Sequence, residues 1–156
     1  MGFRLVRAVH FSAAYRYAHP KKSETENRKV FGPLYSNDGL GCNFKLEAEF
    51  SGELNPETGM IENLTVIDQW LKAVAGELDH RSLAKNIAAF KDKAASLENI
   101  TVYCFRRLNE EMQKFYSKRD RSKNPEIHHG PVQLKRVRIY EDEFTWFDAL
   151  ADERES

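Results

Sequence analysis

The run Phe44–Lys45–Leu46–Glu47–Ala48–Glu49–Phe50–Ser51 alternates without a break: Phe44, Leu46, Ala48 and Phe50 share one side of an extended chain, and Lys45, Glu47, Glu49 and Ser51 the other. A period of two with one apolar and one charged face is the pattern of a strand half-buried in a sheet. Just downstream, Asn55–Pro56–Glu57–Thr58–Gly59 carries turn chemistry, with Pro56 fixing φ and Gly59 free to take φ > 0. A hairpin returning through Met60 to Glu62 is therefore predicted. Upstream, residues 3–17 are rich in β-branched and aromatic types, and Phe3, Leu5, Val9, Phe11 and Ala13 share a face, which predicts a long first strand. The polar stretch from there to residue 42 holds Pro20, Gly32, Pro33, Gly39 and Gly41 and is too long for an idle connector in a compact domain.

Beyond the hairpin the period changes. Thr65 can cap a helix whose third position is Asp68, with Ile67, Trp70, Leu71 and Val74 at helical spacing and Gly76 as its stop. A second helix starts at Ser96 and lines up Ile100, Cys104, Leu108, Met112 and Phe115 on one stripe. It runs into the basic residues Lys118, Arg119, Arg121 and Lys123, ordinarily a solvated helix end and alternatively a contact for phosphates or a protein partner. After Pro125 and Gly130 a last strand sets Lys135, Val137, Ile139 and Glu141 on one side and Leu134, Arg136, Arg138 and Tyr140 on the other. Two strands, two helices and a strand predict an α+β fold, an antiparallel sheet with two helices on one face. At 156 residues the chain is predicted to be a single domain, 1–156.

Charge and cysteine usage narrow the partners. Lys plus Arg (24) balances Asp plus Glu (24), so no global field draws in nucleic acid or an anionic membrane, and an anionic ligand must meet a local patch. Cys42 and Cys104 form no CxxC pair or disulfide framework, and the first residues lack the apolar core of a signal peptide. No apolar run approaches the ~20 residues that span a bilayer. A cytoplasmic protein is expected.

The phrases Phe11–Ser12–Ala13–Ala14–Tyr15–Arg16, Gly41–Cys42–Asn43–Phe44–Lys45, Gly52 to Met60, Leu78–Asp79–His80–Arg81, Glu98–Asn99 and Arg138–Ile139–Tyr140–Glu141 stand in the order and spacing of the 6-pyruvoyltetrahydropterin and 6-carboxytetrahydropterin synthases. The resemblance spans nearly the whole chain. It implies the tunnelling fold, in which subunits join edge to edge into a β-barrel ring, usually a homo-hexamer of two stacked trimers, with pockets between subunits. It also implies roles. Asp79 and His80 match the pair in which a carboxylate orients an imidazole for proton transfer, and histidine titrates near working pH. Glu141 matches the carboxylate that grips the amino-pyrimidinone edge shared by pterin and guanine through two parallel N–H bonds. Ser96 and Leu97 fall where the family lines its pocket beside Glu98.

The same resemblance marks departures. The family binds zinc with three histidines, at positions where this chain has Tyr15, Leu40 and Cys42. Catalytic zinc needs about three N, S or O side chains and one open position. The cysteine that removes substrate protons in the pyruvoyl-forming enzymes is replaced by Leu34. The expectation drawn from these losses is a catalytically impaired protein, without metal or other cofactor, that keeps the Glu141 pocket for a pterin or guanine-type ligand and acts by binding. The alternatives are an active lyase of pterin or deazaguanine biosynthesis using Asp79 and His80 with an altered or absent metal site, and a ring scaffold for a protein partner.

Each residue also has a plainer reading. Asp79 and His80 can cap or cross-link a turn between helices. Glu141, followed by Asp142 and Glu143, can belong to a solvated acidic patch, although a carboxylate on the face of Val137 and Ile139 needs a partner. Cys42 can be a small buried hydrophobe. His10 reads as a sheet-surface residue, and His128–His129 as a surface loop rather than a metal site.

Overall fold

The computed structural model describes residues 2–119 and 131–152, so Arg121, Lys123 and His128–His129 lie outside the described residues. Element order is β1 (Phe3–Tyr15), α1 (Glu24–Phe31), β2 (Leu40–Gly52), α2 (Leu64–Leu78), β3 (Arg81–Ser82), α3 (Leu83–Asn86), α4 (Leu97–Lys118), β4 (Gln133–Tyr140) and β5 (Trp146–Leu150). The sheet runs β3-β1-β2-β4-β5, antiparallel except for the short β1/β3 pairing. This is the α+β architecture that the sequence predicts. The alternating run sits at its centre: Phe44, Leu46, Ala48 and Phe50 are fully buried, packed with Ile67, Leu71 and Val74 of α2 and with Ile100, Cys104 and Leu108 of α4.

The opposite face of the sheet carries ion pairs instead of a second layer. Arg136 lies 3.0 Å from Glu47 and 3.2 Å from Glu49, and Arg138 grips Asp148 at 2.6 and 2.7 Å. Cross-strand charges of opposite sign satisfy one another where side chains stand directly opposite across a ladder.

Several local expectations are corrected. No strand returns after Gly52. Asn55 closes a turn on Met60, and both flanks of β2 are already taken, by β1 along its whole length and by β4 from Lys45 to Ser51. Gly76 does not end α2, which continues to Leu78; the roughly 1 kcal/mol cost of a helical glycine is outweighed by burial of Val74, Ala75 and Leu78 around it. The cap of α2 is Asn63, whose side chain accepts from the Thr65 N–H. Asp68 instead binds Arg7 of β1 at 2.7 and 3.0 Å. The long polar stretch contains α1, opened by a reciprocal capping box between Ser23 and Glu26. Finally, β5 folds back on β4 through a Glu141–Thr145 turn and adds a strand beyond the predicted last one.

Candidate active site

The predicted proton-transfer pair is mounted on β1. Asp79 caps the end of α2, and the chain must turn sharply there to lay β3 beside Ala13 and Ala14. His80 makes that turn with φ +56, the left-handed region. Ser12 holds both residues: its N–H donates to Asp79 Oδ1 at 2.8 Å, and its carbonyl accepts from the His80 N–H at 2.6 Å. With Oδ1 occupied, Oδ2 of Asp79 faces His80 Nε2 at 3.5 Å. The imidazole is exposed, so a substrate can reach it while the carboxylate behind it stays fixed. The His80 N–H to Ser12 carbonyl bond by itself already ties this turn to β1.

His80 opens onto a groove of about 480 Å³ lined by Ser12, Gly41, Cys42, Asn43, Arg81 and Ser82. A second groove, of about 400 Å³, is lined by His10, Asn43, Lys45, Tyr140, Glu141 and its acidic neighbours. Asn43 belongs to both. Glu141 sits just past β4, its N–H bonded to Thr145 at 3.0 Å. Burial, and then the charge of Asp142, push its carboxyl above the ordinary 4.5. Asp142 goes the other way, lowered first by accepting from the Phe144 N–H. The Glu141 carboxylate accepts from no donor among the described residues, and burial works against its charge, the state expected of a carboxylate open to a ligand's N–H groups.

A pH dependence follows from that shift. Gripping two N–H donors requires the carboxylate, so if Glu141 anchors a pterin as the family resemblance implies, affinity is full above the raised pKa and declines as pH falls through it. The decline sets in at a higher pH than an unshifted glutamate would give. A calorimetric titration with neopterin over a series of pH values checks this, with Glu141→Gln expected to show weak binding and no such decline. An inflection at or below the ordinary glutamate value would count against Glu141 as the anchor.

Ser96, Leu97 and Glu98 are not brought to Glu141 within one chain. Ser96 caps α4, its hydroxyl accepting from the Asn99 N–H, Leu97 is buried, and Glu98 lies near Tyr17, where it helps raise the phenol's pKa after burial has done most of it. His10 is exposed on the face of the sheet opposite the helices, as the alternation predicts.

The residues at the family's zinc positions do not fit that metal. Tyr15 is 3% exposed and packs edge-on against Phe44 and Tyr17, with ring centroids 5.2 and 5.7 Å away. Leu40, its β-partner, has no donor atom. Cys42 Sγ donates to the Glu141 carbonyl at 3.2 Å, and burial, then the charge of Asp142, pushes its pKa up, which leaves it as one donor side chain where a catalytic zinc takes about three. Among the described residues no group of three or more His, Cys, Asp or Glu side chains could hold a metal ion.

Sequence reasoning gave no chemistry to Ser12, Asn43 and Arg81. All three stand inside the phrases that carry the resemblance, as polar residues near strand ends, which is the signal that could have singled them out.

The five-stranded sheet with helices packed on one face is shared with solved 6-pyruvoyl tetrahydropterin synthases, which places the chain in the tunnelling-fold class of α+β proteins. The chain belongs to the 6-pyruvoyl tetrahydropterin synthase family, whose model matches residues 4–151. A putative 6-pyruvoyl tetrahydrobiopterin synthase of Caenorhabditis elegans is 33% identical over 106 residues, 68% of this chain and 76% of that one. The human 6-pyruvoyl tetrahydrobiopterin synthase is 35% identical over 98 residues, 62% of this chain and 68% of that one. The solved structure of Caenorhabditis elegans 6-pyruvoyl tetrahydropterin synthase superposes with a TM-score of 0.80 at 28% identity, covering 97% of both chains. That of Plasmodium vivax, at 15% identity and a TM-score of 0.62, shares the fold. The expectation of a protein that acts by binding alone is overturned here. Relatives from 29% to 35% identical carry the name of the synthase, which favours an active lyase. The substitutions at Tyr15, Leu40 and Cys42 fall on the family's metal positions, and Asp79 and His80 are retained.

Proposed function

We propose that this chain is a carbon–oxygen lyase of pterin biosynthesis, acting on dihydroneopterin triphosphate or a close relative with Asp79 and His80 as its acid–base pair. The observation that carries the reading is the mounting of that pair: Ser12 N–H fixes one carboxylate oxygen, and the other faces the imidazole. Glu141 anchors the amino-pyrimidinone ring, and Asn43, common to both grooves, spans the interval between them. His80 moves the proton lost from a side-chain carbon. Asp79 sets the ring's orientation and stabilises the imidazolium that forms. Leu34, exposed and without a titratable group, supplies no base.

A ring homo-oligomer belongs to the same reading. Residues Phe3–Phe11 of β1 and the outer side of β5 leave free edges among the described residues, and such edges are normally covered. Edge-to-edge joining would cover both, and would let a neighbour's Ser96–Glu98 segment complete a pocket that one chain leaves open.

The test is incubation with dihydroneopterin triphosphate, following release of triphosphate, with and without a chelator. Turnover that persists unchanged in the chelator is expected, at a rate reduced because acidifying a C–H bond without a Lewis acid forgoes several kcal/mol of transition-state help. No release above the uncatalysed rate would sink the lyase reading. Release abolished by the chelator would sink the metal-free part of it.

A further inference from the structure

Four large apolar side chains that one chain leaves exposed lie on its two free sheet edges or in the turn between β4 and β5: Val6 at 48%, Trp146 at 46%, Leu150 at 67% and Phe144 at 87%. Val6, Trp146 and Leu150 stand on the face of the sheet away from the helices, since Leu5, Val9 and Phe147 of the same strands pack against the core. The turn is closed on itself by Asp142, which accepts from the Phe144 and Thr145 N–H groups at 2.8 and 2.7 Å. That leaves Glu143 exposed, with no ion pair or side-chain hydrogen bond among the described residues. Arg81, at the start of β3, is exposed and equally without a partner among them, whereas Arg7, Arg107 and Arg138 are held by Asp68, Glu77 and Asp148. One chain therefore carries an apolar line on each free edge, and a spare charge of each sign near the same end of the sheet.

The β1/β2, β2/β4 and β4/β5 steps are all antiparallel, so β5 runs opposite to β1. A rotation about a ring axis preserves that sense, and joining β5 to the β1 of a second copy adds one more antiparallel step. Residues directly opposite one another in such a pair share a face, so Phe147 must oppose an odd-numbered residue of β1. Pairing β5 along its whole length within the free stretch Phe3–Phe11 then leaves two registers, with Trp146 opposite Ala8 or opposite His10 of the partner subunit. The first sets Leu150 against Arg4 and Asp148 against Val6. The second sets Leu150 against Val6 and Trp146 against His10, so that exposed apolar side chains cover one another. We propose, on the basis of the ring assembly above, that subunits join in this second register and that the β4–β5 turn hooks over β3 of the partner subunit. Glu143 then pairs with the partner subunit's Arg81, and Phe144 closes one side of the groove onto which the partner subunit's His80 opens. The hook lands there because Ala13 and Ala14, which follow the free stretch of β1, are the residues that β3 flanks. Each copy thus contributes two side chains to its neighbour's site.

The experiment uses the full chain and starts with light scattering of the wild type, for which an oligomer is expected. Cysteine pairs then read the register by mild oxidation and a non-reducing gel, with the wild type and each single variant run beside them to correct for Cys42 and Cys104. Val6→Cys with Leu150→Cys is expected to yield covalent oligomers at least about tenfold more efficiently than Arg4→Cys with Leu150→Cys, because a disulfide does not close beyond about 7 Å between Cα atoms. In the proposed register Arg4 lies two residues, roughly 7 Å, further along the strand than the residue opposite Leu150. Arg81→Cys with Glu143→Cys is expected to cross-link as well. All five positions are exposed in one chain, so the subunit fold should tolerate the changes. A monomeric wild type overturns the ring and the register together. An oligomer that cross-links through Arg4 and Leu150 but not through Val6 and Leu150, or through neither pair, overturns the register and leaves the ring standing. Cross-linking of Val6 to Leu150 without cross-linking of Arg81 to Glu143 overturns the hook.

Discussion

Replacing His80 by Asn should lower turnover of dihydroneopterin triphosphate by about 10²- to 10⁴-fold, the usual worth of a positioned acid–base group, while neopterin binding at Glu141 stays within about twofold. Asparagine is the chosen replacement for a conformational reason. His80 has φ +56, a region in which asparagine is several-fold enriched and most residues are strained. The turn, the His80 N–H to Ser12 bond and the approach of β3 to β1 should all survive, so a loss of rate reports on the imidazole and not on the fold. Asp79→Asn gives a second reading. Its amide oxygen can still accept from Ser12 N–H, but the negative charge behind the imidazole is gone, so the rate should fall while the turn stays intact. Unchanged turnover in His80→Asn, with activity present in the wild type, would remove His80 from the chemistry and return Asp79 and His80 to the role of a turn cross-link.

The largest expected effect on stability lies far from the site. The Glu62 side chain is fully buried, accepting from the Tyr116 hydroxyl at 2.9 Å and from Arg119 at 3.1 Å, and closing on the Asn63 N–H at 2.9 Å. Arg119 ends α4, and its guanidinium side chain is 20% exposed. Arg119→Ala would leave a buried carboxylate with neutral donors alone among the described residues. Breaking such a pair from one side costs about 3–5 kcal/mol, so the urea midpoint should drop sharply with little change in slope. Replacing both partners by apolar residues of similar size, Glu62→Met with Arg119→Met, should restore much of the loss, because neither charge is then left buried. A loss under about 1 kcal/mol in Arg119→Ala would place this pair with solvent-screened surface bridges. Arg119 reads from sequence as part of a solvated basic run. Only the packing of α4 beside the segment before α2 turns it into a structural clamp.

What was legible depended on periodicity. The run from Phe44 to Ser51 repeats every two residues over a length that leaves one arrangement, and the stripe from Ile100 to Phe115 repeats at helical spacing over four turns. Short elements carried too few repeats. Trp146–Leu150 has five residues and is a strand because β4 offers it an edge, with Asp148 opposite Arg138. The predicted return strand failed for the converse reason, since no edge of β2 was free to receive it. Asp79, His80 and Glu141 were found through resemblance, since two acids and a histidine on a chain of 24 acidic residues carry no signature of their own. Ser12 and Asn43 were missed because their contacts join residues far apart in sequence.

By itself the sequence determined the α+β class, the identity of the core faces, the cap at Ser96, and the family, because these rest on local pattern and on phrases read in order. It also determined that Tyr15, Leu40 and Cys42 stand at positions where zinc histidines are expected. The tertiary structure decided what became of those positions: an aromatic cluster around Tyr15, and a thiol tied to the Glu141 carbonyl. It also decided that His80 and Glu141 open onto two grooves of opposite charge that share Asn43. Both outcomes depend on which strands lie side by side, and strand order is set by competition among distant segments for one sheet's edges, a choice that no local stretch of sequence contains.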